Sequence, residues 1–160
     1  MGNPLSWSLA DRCMTAAIIV LVASGLFTVA VWVGGGTPFV PVDTDAAPLV
    51  RWIALIHLQP WWLILVLAVR ARRPGRAASP WLAIATVYLF AVTLALFTLV
   101  TGPFAAPGWI AFLGGSIVGY LLFERRHARL GVVAYLALVM TGAALVHERP
   151  WAWIDQIVPR

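Results

Sequence analysis

Residues able to do chemistry are few in this chain, and most fall in one stretch. "RWIALIHLQPWWLILVLAVRARR", residues 51–73, is largely apolar yet holds His57, Gln59, Pro60, Trp61 and Trp62. An imidazole can ligate a metal, carry a proton or hold a hydrogen-bonded ligand. Indole rings add flat apolar surface with a single N–H donor. His147 closes a later apolar run and is the natural partner for His57. Two histidines at similar depth on different helices can act as the axial pair of a b-type haem. The candidate cofactor-binding set is therefore His57, His147, Trp61 and Trp62. The ligand classes open to it are haem b, a porphyrin, a quinone or a lipid. The plainer role for His57 is a neutral ring hydrogen-bonded to a neighbouring helix. A further alternative is an external metal site of His147, Glu148, Asp43 and Asp45, with His57 beneath it. His127 sits among arginines and reads as a solvated loop residue.

Other chemistries lack their residues. All eleven basic residues are arginine, so lysine Schiff-base chemistry is excluded. A single cysteine, Cys13, forms neither an intrachain disulfide nor a multi-thiolate site. No Asp or Glu lies inside an apolar run, which argues against a cation-coupled transporter. There is no nucleotide-binding loop, HExxH or serine elbow. An enzyme would have to work at the outer surface with Asp43, Asp45, His147 or Glu148. The net charge of +5 lies in short arginine clusters between apolar runs, a topology signal rather than a nucleic-acid one.

The elements that must position these residues follow from composition. Of 160 residues, 62% are hydrophobic and 11% charged. Soluble domains have about 45–50% apolar and about 25% charged residues, so lipid is the expected solvent. Five runs, residues 13–33, 51–69, 80–101, 108–123 and 130–147, are candidate spans. The first is too long for a cleaved signal peptide, whose apolar region is about 7–15 residues. "SLAD", residues 8–11, fits a loose capping box at its start.

The second span decides where His57 sits. A helix over 51–69 is about 28 Å long, close to the hydrocarbon thickness. Begun after Pro60 it would be too short to cross. Length thus forces His57, Gln59 and Pro60 into the outer half of the bilayer, about 9–14 Å below Arg51. Pro60 frees the carbonyl of Ile56, and a kink is expected there. His57 and Gln59 are about 200° apart around the helix, on nearly opposite faces, and both cannot face lipid at low cost. Trp61 and Trp62 come near mid-membrane, and at least one should meet protein or a bound molecule.

Orientation follows from the arginines. Arg12, Arg70, Arg72, Arg73, Arg76, Arg125, Arg126 and Arg129 share one side if there are five crossings. That side is cytoplasmic by the positive-inside rule, which puts the N-terminus inside and the C-terminus outside. A four-span arrangement with one run buried or interfacial is the alternative. The tail "HERPWAWIDQIVPR" repeats Trp151, Ile154 and Val158 at helical spacing, with Trp153 and Ile157 beside them, and reads as a short external interfacial helix.

Small residues mark the helix-packing faces. Gly115 and Gly119 form a GxxxG pair, and Ala134, Ala137, Thr141 and Ala144 make a stripe. Thr86, Thr93, Thr98 and Thr101 can bond their own preceding turns and need not line a pathway.

Nine tryptophans, the chain length, five spans and "PWW" resemble the tryptophan-rich sensory protein (translocator protein) family. The resemblance implies a five-helix membrane fold that binds porphyrin-like or sterol-like ligands. The chain departs from that family after Trp62, where "LILVLAV" follows directly, and its only asparagine is Asn3. No functional residue is carried over.

The expectation is an all-α, polytopic membrane helix bundle, residues 1–160 forming one integral-membrane domain of a bacterial-type plasma (inner) membrane. Minimal loops leave the helix faces as the contact surface. A non-catalytic accessory or scaffolding subunit of a membrane complex is the first functional expectation, with lipid and other membrane subunits or self as partners. An intramembrane ligand-binding protein with its site around His57 is the second.

Overall fold

A computed structural model describes residues 7–34, 36–37, 40–41, 47–73, 79–101 and 106–146. Six helices account for nearly all of them: α1 (Leu9–Gly34), α2 (Ala47–Ile56), α3 (Leu58–Ala71), α4 (Pro80–Thr101), α5 (Ala106–Leu122) and α6 (Arg125–Val146). A two-residue antiparallel ladder, β1 (Gly36–Thr37) with β2 (Val40–Pro41), follows α1.

The helix starts obey local chemistry. Asp11 N–H donates to Ser8 Oγ at 3.2 Å, and Ser8 Oγ donates to Asp11 Oδ2 at 2.6 Å. This is the capping arrangement expected from "SLAD", and it starts α1 four residues before the apolar run. Pro80 opens α4 where its missing N–H has no helical partner to lose. Glu124 precedes α6; its carbonyl accepts from Ala128 N–H at 3.0 Å. Its carboxylate offsets Arg125 and Arg126, which stand unfavourably at the positive helix end.

Among the described residues, four helical stretches are long and apolar enough to cross a membrane: Leu9–Val33, Val50–Ala71 (α2 and α3 taken together), Pro80–Leu99 and Arg125–Ala144. Of α5, Ile110–Leu122 is apolar but shorter than a full crossing. The surface is that of a lipid-solvated bundle. On α1, Val22, Leu26, Val29 and Val33 are 58%, 69%, 60% and 84% exposed. Their spacing of four, three and four is one helix face turned outward. In water that face would be the core.

Tryptophans ring both ends. Trp7 and Trp81 are exposed at the starts of α1 and α4, while Trp32 and Trp52 are exposed at the end of α1 and the start of α2. A helix rising from Trp7 to Trp32 is about 37 Å long, close to the distance between the two interfacial regions of a bilayer.

The arginine clusters share one end of the bundle. Arg72 Nε lies 2.8 Å from Asp11 Oδ1, and an Arg72 terminal nitrogen is 3.5 Å from Met14 Sδ. One buried cluster joins Cys13, Ala16 and Ala17 of α1, Ala68 of α3, Leu82 and Ala83 of α4, Leu122 at the end of α5 and Phe123 just after it. Arg12, Arg70, Arg72, Arg73, Arg125, Arg126 and Arg129 flank that end. Arg51 stands at the opposite end, where its Nε donates to the Val31 carbonyl at 3.3 Å and its guanidinium sits 5.7 Å from the Trp32 ring centroid.

Helix α4 is the hub, touching α1, α3, α5 and α6. Lipid supplies no hydrophobic drive for helix association, so close backbone approach and interhelical hydrogen bonds must hold the bundle. Small side chains provide the first: Cys13, Ala16, Ala17, Ala68, Ala83, Ala91 and Ala95 are all nearly inaccessible. The second come from Thr98 and Tyr135, whose hydroxyls are 3.1 Å apart between α4 and α6, and from Trp61 and Thr93 between α3 and α4. Tyr135 also stacks on Phe112 of α5, with ring centroids 4.6 Å apart.

Candidate functional site

The stretch around His57 breaks three residues before Pro60. His57 itself keeps helical angles, φ −69° and ψ −18°, and its N–H still donates to the Ile53 carbonyl at 3.0 Å. The ladder then lapses until Leu58 opens α3. Pro60 is the cause: it has no N–H, and its ring displaces the carbonyl of residue 56. A lapse of this kind leaves the last carbonyls of α2 without helical donors. Side chains serve one of them. The Ala54 carbonyl receives His57 Nδ1 at 2.8 Å and the Thr28 hydroxyl at 3.3 Å. Thr28 also donates to Ser24 O at 2.7 Å, the usual back-bond of a helical threonine.

His57 thus bonds its own helix rather than a neighbour. A carbonyl only accepts, so Nδ1 carries a proton. In the neutral ring Nε2 then holds the lone pair.

His57 lines a cavity of about 320 Å³ enclosed by α1, α2, α4 and α5. This is the lower end of the range for small-molecule sites, about 300–1,000 Å³. The walls are apolar. Phe27 and Phe97, edge-to-face at 5.5 Å, and Phe90 supply aromatic surface. Among the described residues, Ser24, His57 and Thr93 are the polar side chains that line the space, and no charged side chain does. Ile19, Ala23 and Gly114 line it and are also exposed, so the cavity opens sideways between α1 and α5. It runs from the middle of the bundle towards the end away from the arginines: it takes residues 19–27 of α1 and 111–118 of α5, and α2 meets it with Val50, Ile53 and Ala54.

The two tryptophans part company. Trp61 is inaccessible; its Nε1 donates to Thr93 Oγ1 at 2.8 Å and its ring stands edge-on to Phe90, centroids 6.2 Å apart. It forms the layer behind the cavity wall and fixes two lining residues. Trp62 is 55% exposed and does not line the cavity. Gln59 is exposed, while Pro60 is half-buried. His147, the external Asp43 and Asp45, Glu148 and the 147–160 tail lie outside the described residues, and so do the haem pair and external metal set that need them. Among the described residues, no three of His, Cys, Asp and Glu gather around a common point. His127 is in the first turn of α6 rather than a loop, half-buried, with Nδ1 3.9 Å from Glu124 Oε2.

The packing residues divide likewise. A methyl at Gly115 would fall 2.5 Å from Leu94 Cδ1, so α5 lies close against that side chain of α4. Gly119 faces nothing within 4 Å. On α6, Ala134 packs beside Tyr135, whereas Ala137, Thr141 and Ala144 are exposed. The face that meets α4 is Gly131, Tyr135 and Gly142; methyls at the two glycines would each sit 2.8 Å from Val87 Cγ1 and Leu99 Cδ1 respectively.

The lining residues that sequence reasoning did not single out are Ser24, Phe27, Phe90 and Phe97; Thr93, read from the sequence as able to bond its own preceding turn, instead lines the cavity and accepts from Trp61 Nε1. Their signal was present as spacing. Phe90, Thr93, Leu94 and Phe97 recur at helical intervals, which puts aromatic rings and one hydroxyl on a single face.

No protein-family model, no curated protein and no solved structure matches this chain. The likeness in size and tryptophan content to the tryptophan-rich sensory proteins is not joined by a family match.

Proposed function

We propose that the chain is an intramembrane binding protein for a small, uncharged, amphiphilic molecule, held in the cavity beside His57. The observation that carries this reading is the cavity itself: apolar, open towards lipid, and furnished with three polar side chains but no charge. A haem bears propionates that need cationic or well-solvated surroundings, and this lining offers neither. An uncharged quinone-like or lipid-like molecule suits it better.

The accompanying topology is a five-crossing bundle in a bacterial-type plasma membrane, with the arginine-flanked end in the cytoplasm. It rests on the segregation of Arg12, Arg70, Arg72, Arg73, Arg125, Arg126 and Arg129 to one end. A thinner local bilayer would accommodate the short α5. The cavity then runs from mid-membrane into the outer leaflet.

Extraction of protein purified in lipid nanodiscs tests the binding role. The expected result is one apolar species enriched to about one per chain over the bulk lipid. Recovery of bulk membrane lipid alone, in bulk proportions, contradicts it. Absorbance in the Soret region separates the haem alternative: a band lost in His57→Ala supports ligation, and a colourless preparation removes it.

A second reading is an accessory subunit that meets partner helices in the bilayer. The outward-facing Ala137, Thr141 and Ala144 on α6 favour it, because small residues allow close helix approach. Co-purification in mild detergent tests it; a lone monomer whose state is unchanged by Ala137→Leu contradicts it.

A further inference from the structure

The hydrogen-bonding roles inside the cavity narrow the ligand further, an inference that rests on the binding role proposed above. Two lining side chains, His57 and Thr93, have settled roles. His57 Nδ1 is committed to the Ala54 carbonyl, so the neutral ring keeps a lone pair on Nε2 and needs a donor. Thr93 Oγ1 already accepts from Trp61 Nε1, and its own hydroxyl proton remains to be given. Thr28 and Thr86 spend theirs on the carbonyls of Ser24 and Leu82 in their own helices, whereas Thr93 makes no such bond among the described residues. Beside the Ser24 hydroxyl, which can act either way, the cavity thus presents one acceptor at His57, between α2 and α3, and one donor on α4. Around them stand Phe27, Phe90 and Phe97, and no carboxylate or guanidinium.

We infer that the site selects an aromatic head group bearing a hydroxyl — a phenol or a hydroquinone — on an apolar tail. A hydroxyl complements both groups at once: it donates to His57 Nε2 and accepts from Thr93. A quinone carbonyl or a methyl ether can accept from Thr93 but leaves Nε2 unsatisfied. An acceptor left unsatisfied against an apolar ligand is the more costly side of that exchange. The phenylalanine rings favour a flat head over an aliphatic one through offset and edge contacts. The tail leaves between α1 and α5, where Ile19, Ala23 and Gly114 are open to lipid. For a redox-active head, the same arrangement holds the reduced form in preference to the oxidised one.

The test uses the full chain in lipid nanodiscs and reads binding by native mass spectrometry. Three probes share one tail length: para-decylphenol, its methyl ether, and decanol. The phenol is expected to bind about tenfold more tightly than the ether, the worth of one added hydrogen bond to His57. Decanol is expected to bind less tightly than the phenol. In His57→Phe the phenol-to-ether ratio falls to about one, because the acceptor is gone. In Thr93→Val both probes weaken together and the ratio persists, because each oxygen accepts from Thr93 alike. Equal binding of phenol and ether by the unaltered protein overturns the inference while leaving the cavity reading intact. Decanol binding as tightly as the phenol overturns the aromatic head. Failure of every probe to bind overturns the cavity reading itself. The unaltered protein decides each of these outcomes even if His57→Phe fails to fold.

Discussion

The two ends of the bundle are built on different rules. At the arginine end, α1, α3, α4 and the end of α5 close on each other through Cys13, Ala16, Ala17, Ala68 and Ala83, with Trp61, Leu82 and Phe123 filling what remains. At the other end, α1 and α4 turn Phe27, Phe90 and Phe97 towards a space of about 320 Å³. Small residues bring backbones together; large rings with a lapse in α2 hold them apart. The lapse matters because α3 packs tightly on α1 below it, while α2 above it is tied by polar bonds. Those are Thr28 to the Ala54 carbonyl and Arg51 to the Val31 carbonyl. One half of the molecule is a closed frame and the other holds a cavity open.

That contrast can be broken most severely at Trp61, the largest inaccessible side chain of the frame. Trp61→Ala is expected to cost about 3–5 kcal/mol, through the void left and the loss of the bond to Thr93. Thermal or denaturant unfolding in detergent should register it as a large fall in midpoint. Enlarging the frame is the next largest effect. Ala17→Phe, at a residue with no accessible surface, should destabilise by about 1–3 kcal/mol through overpacking.

Thr93→Val sharpens the comparison at the boundary between the halves. It removes the acceptor for Trp61 Nε1, and about 0.6–1.7 kcal/mol is expected for an interhelical hydrogen bond in a membrane protein. Unfolding of the single and double variants with Trp61→Phe isolates that coupling. The smallest effect belongs to the Asp11–Arg72 pair, whose side chains are 30% and 51% exposed. Arg72→Gln should shift stability by no more than about 1 kcal/mol. A larger loss would mean that the arginine end is held by charge rather than by close packing.

Much of the frame was legible in the residues. Hydrophobic runs bounded by arginines located the long helices, because a bilayer demands length and apolarity of every crossing. Ser8 and Asp11 announced the start of α1 through capping chemistry. The break near Pro60 was legible too, though it falls at His57, since proline disturbs the carbonyl four residues before it. The helix-packing faces were harder to read. Ala134, Ala137, Thr141 and Ala144 and the Gly131–Tyr135–Gly142 face both repeat at helical intervals, and periodicity does not say which turns towards α4. In lipid the outward face is as apolar as the inward one, so the polarity contrast that orients a helix in water is missing. The cavity was half legible. His57 stood out because a polar side chain at depth needs a partner. Phe90, Thr93 and Phe97 did not, because aromatic residues and threonine are ordinary in a membrane helix.

The most direct test of the divided architecture pairs Ala23→Phe with Ala17→Phe on the same helix. Ala23 lines the open space and is exposed, whereas Ala17 lies inside the frame. Ala23→Phe should leave the unfolding midpoint within about 0.5 kcal/mol of the unaltered protein and abolish binding of para-decylphenol. A loss of stability matching that of Ala17→Phe, or undiminished binding with the ring in place, would contradict the account.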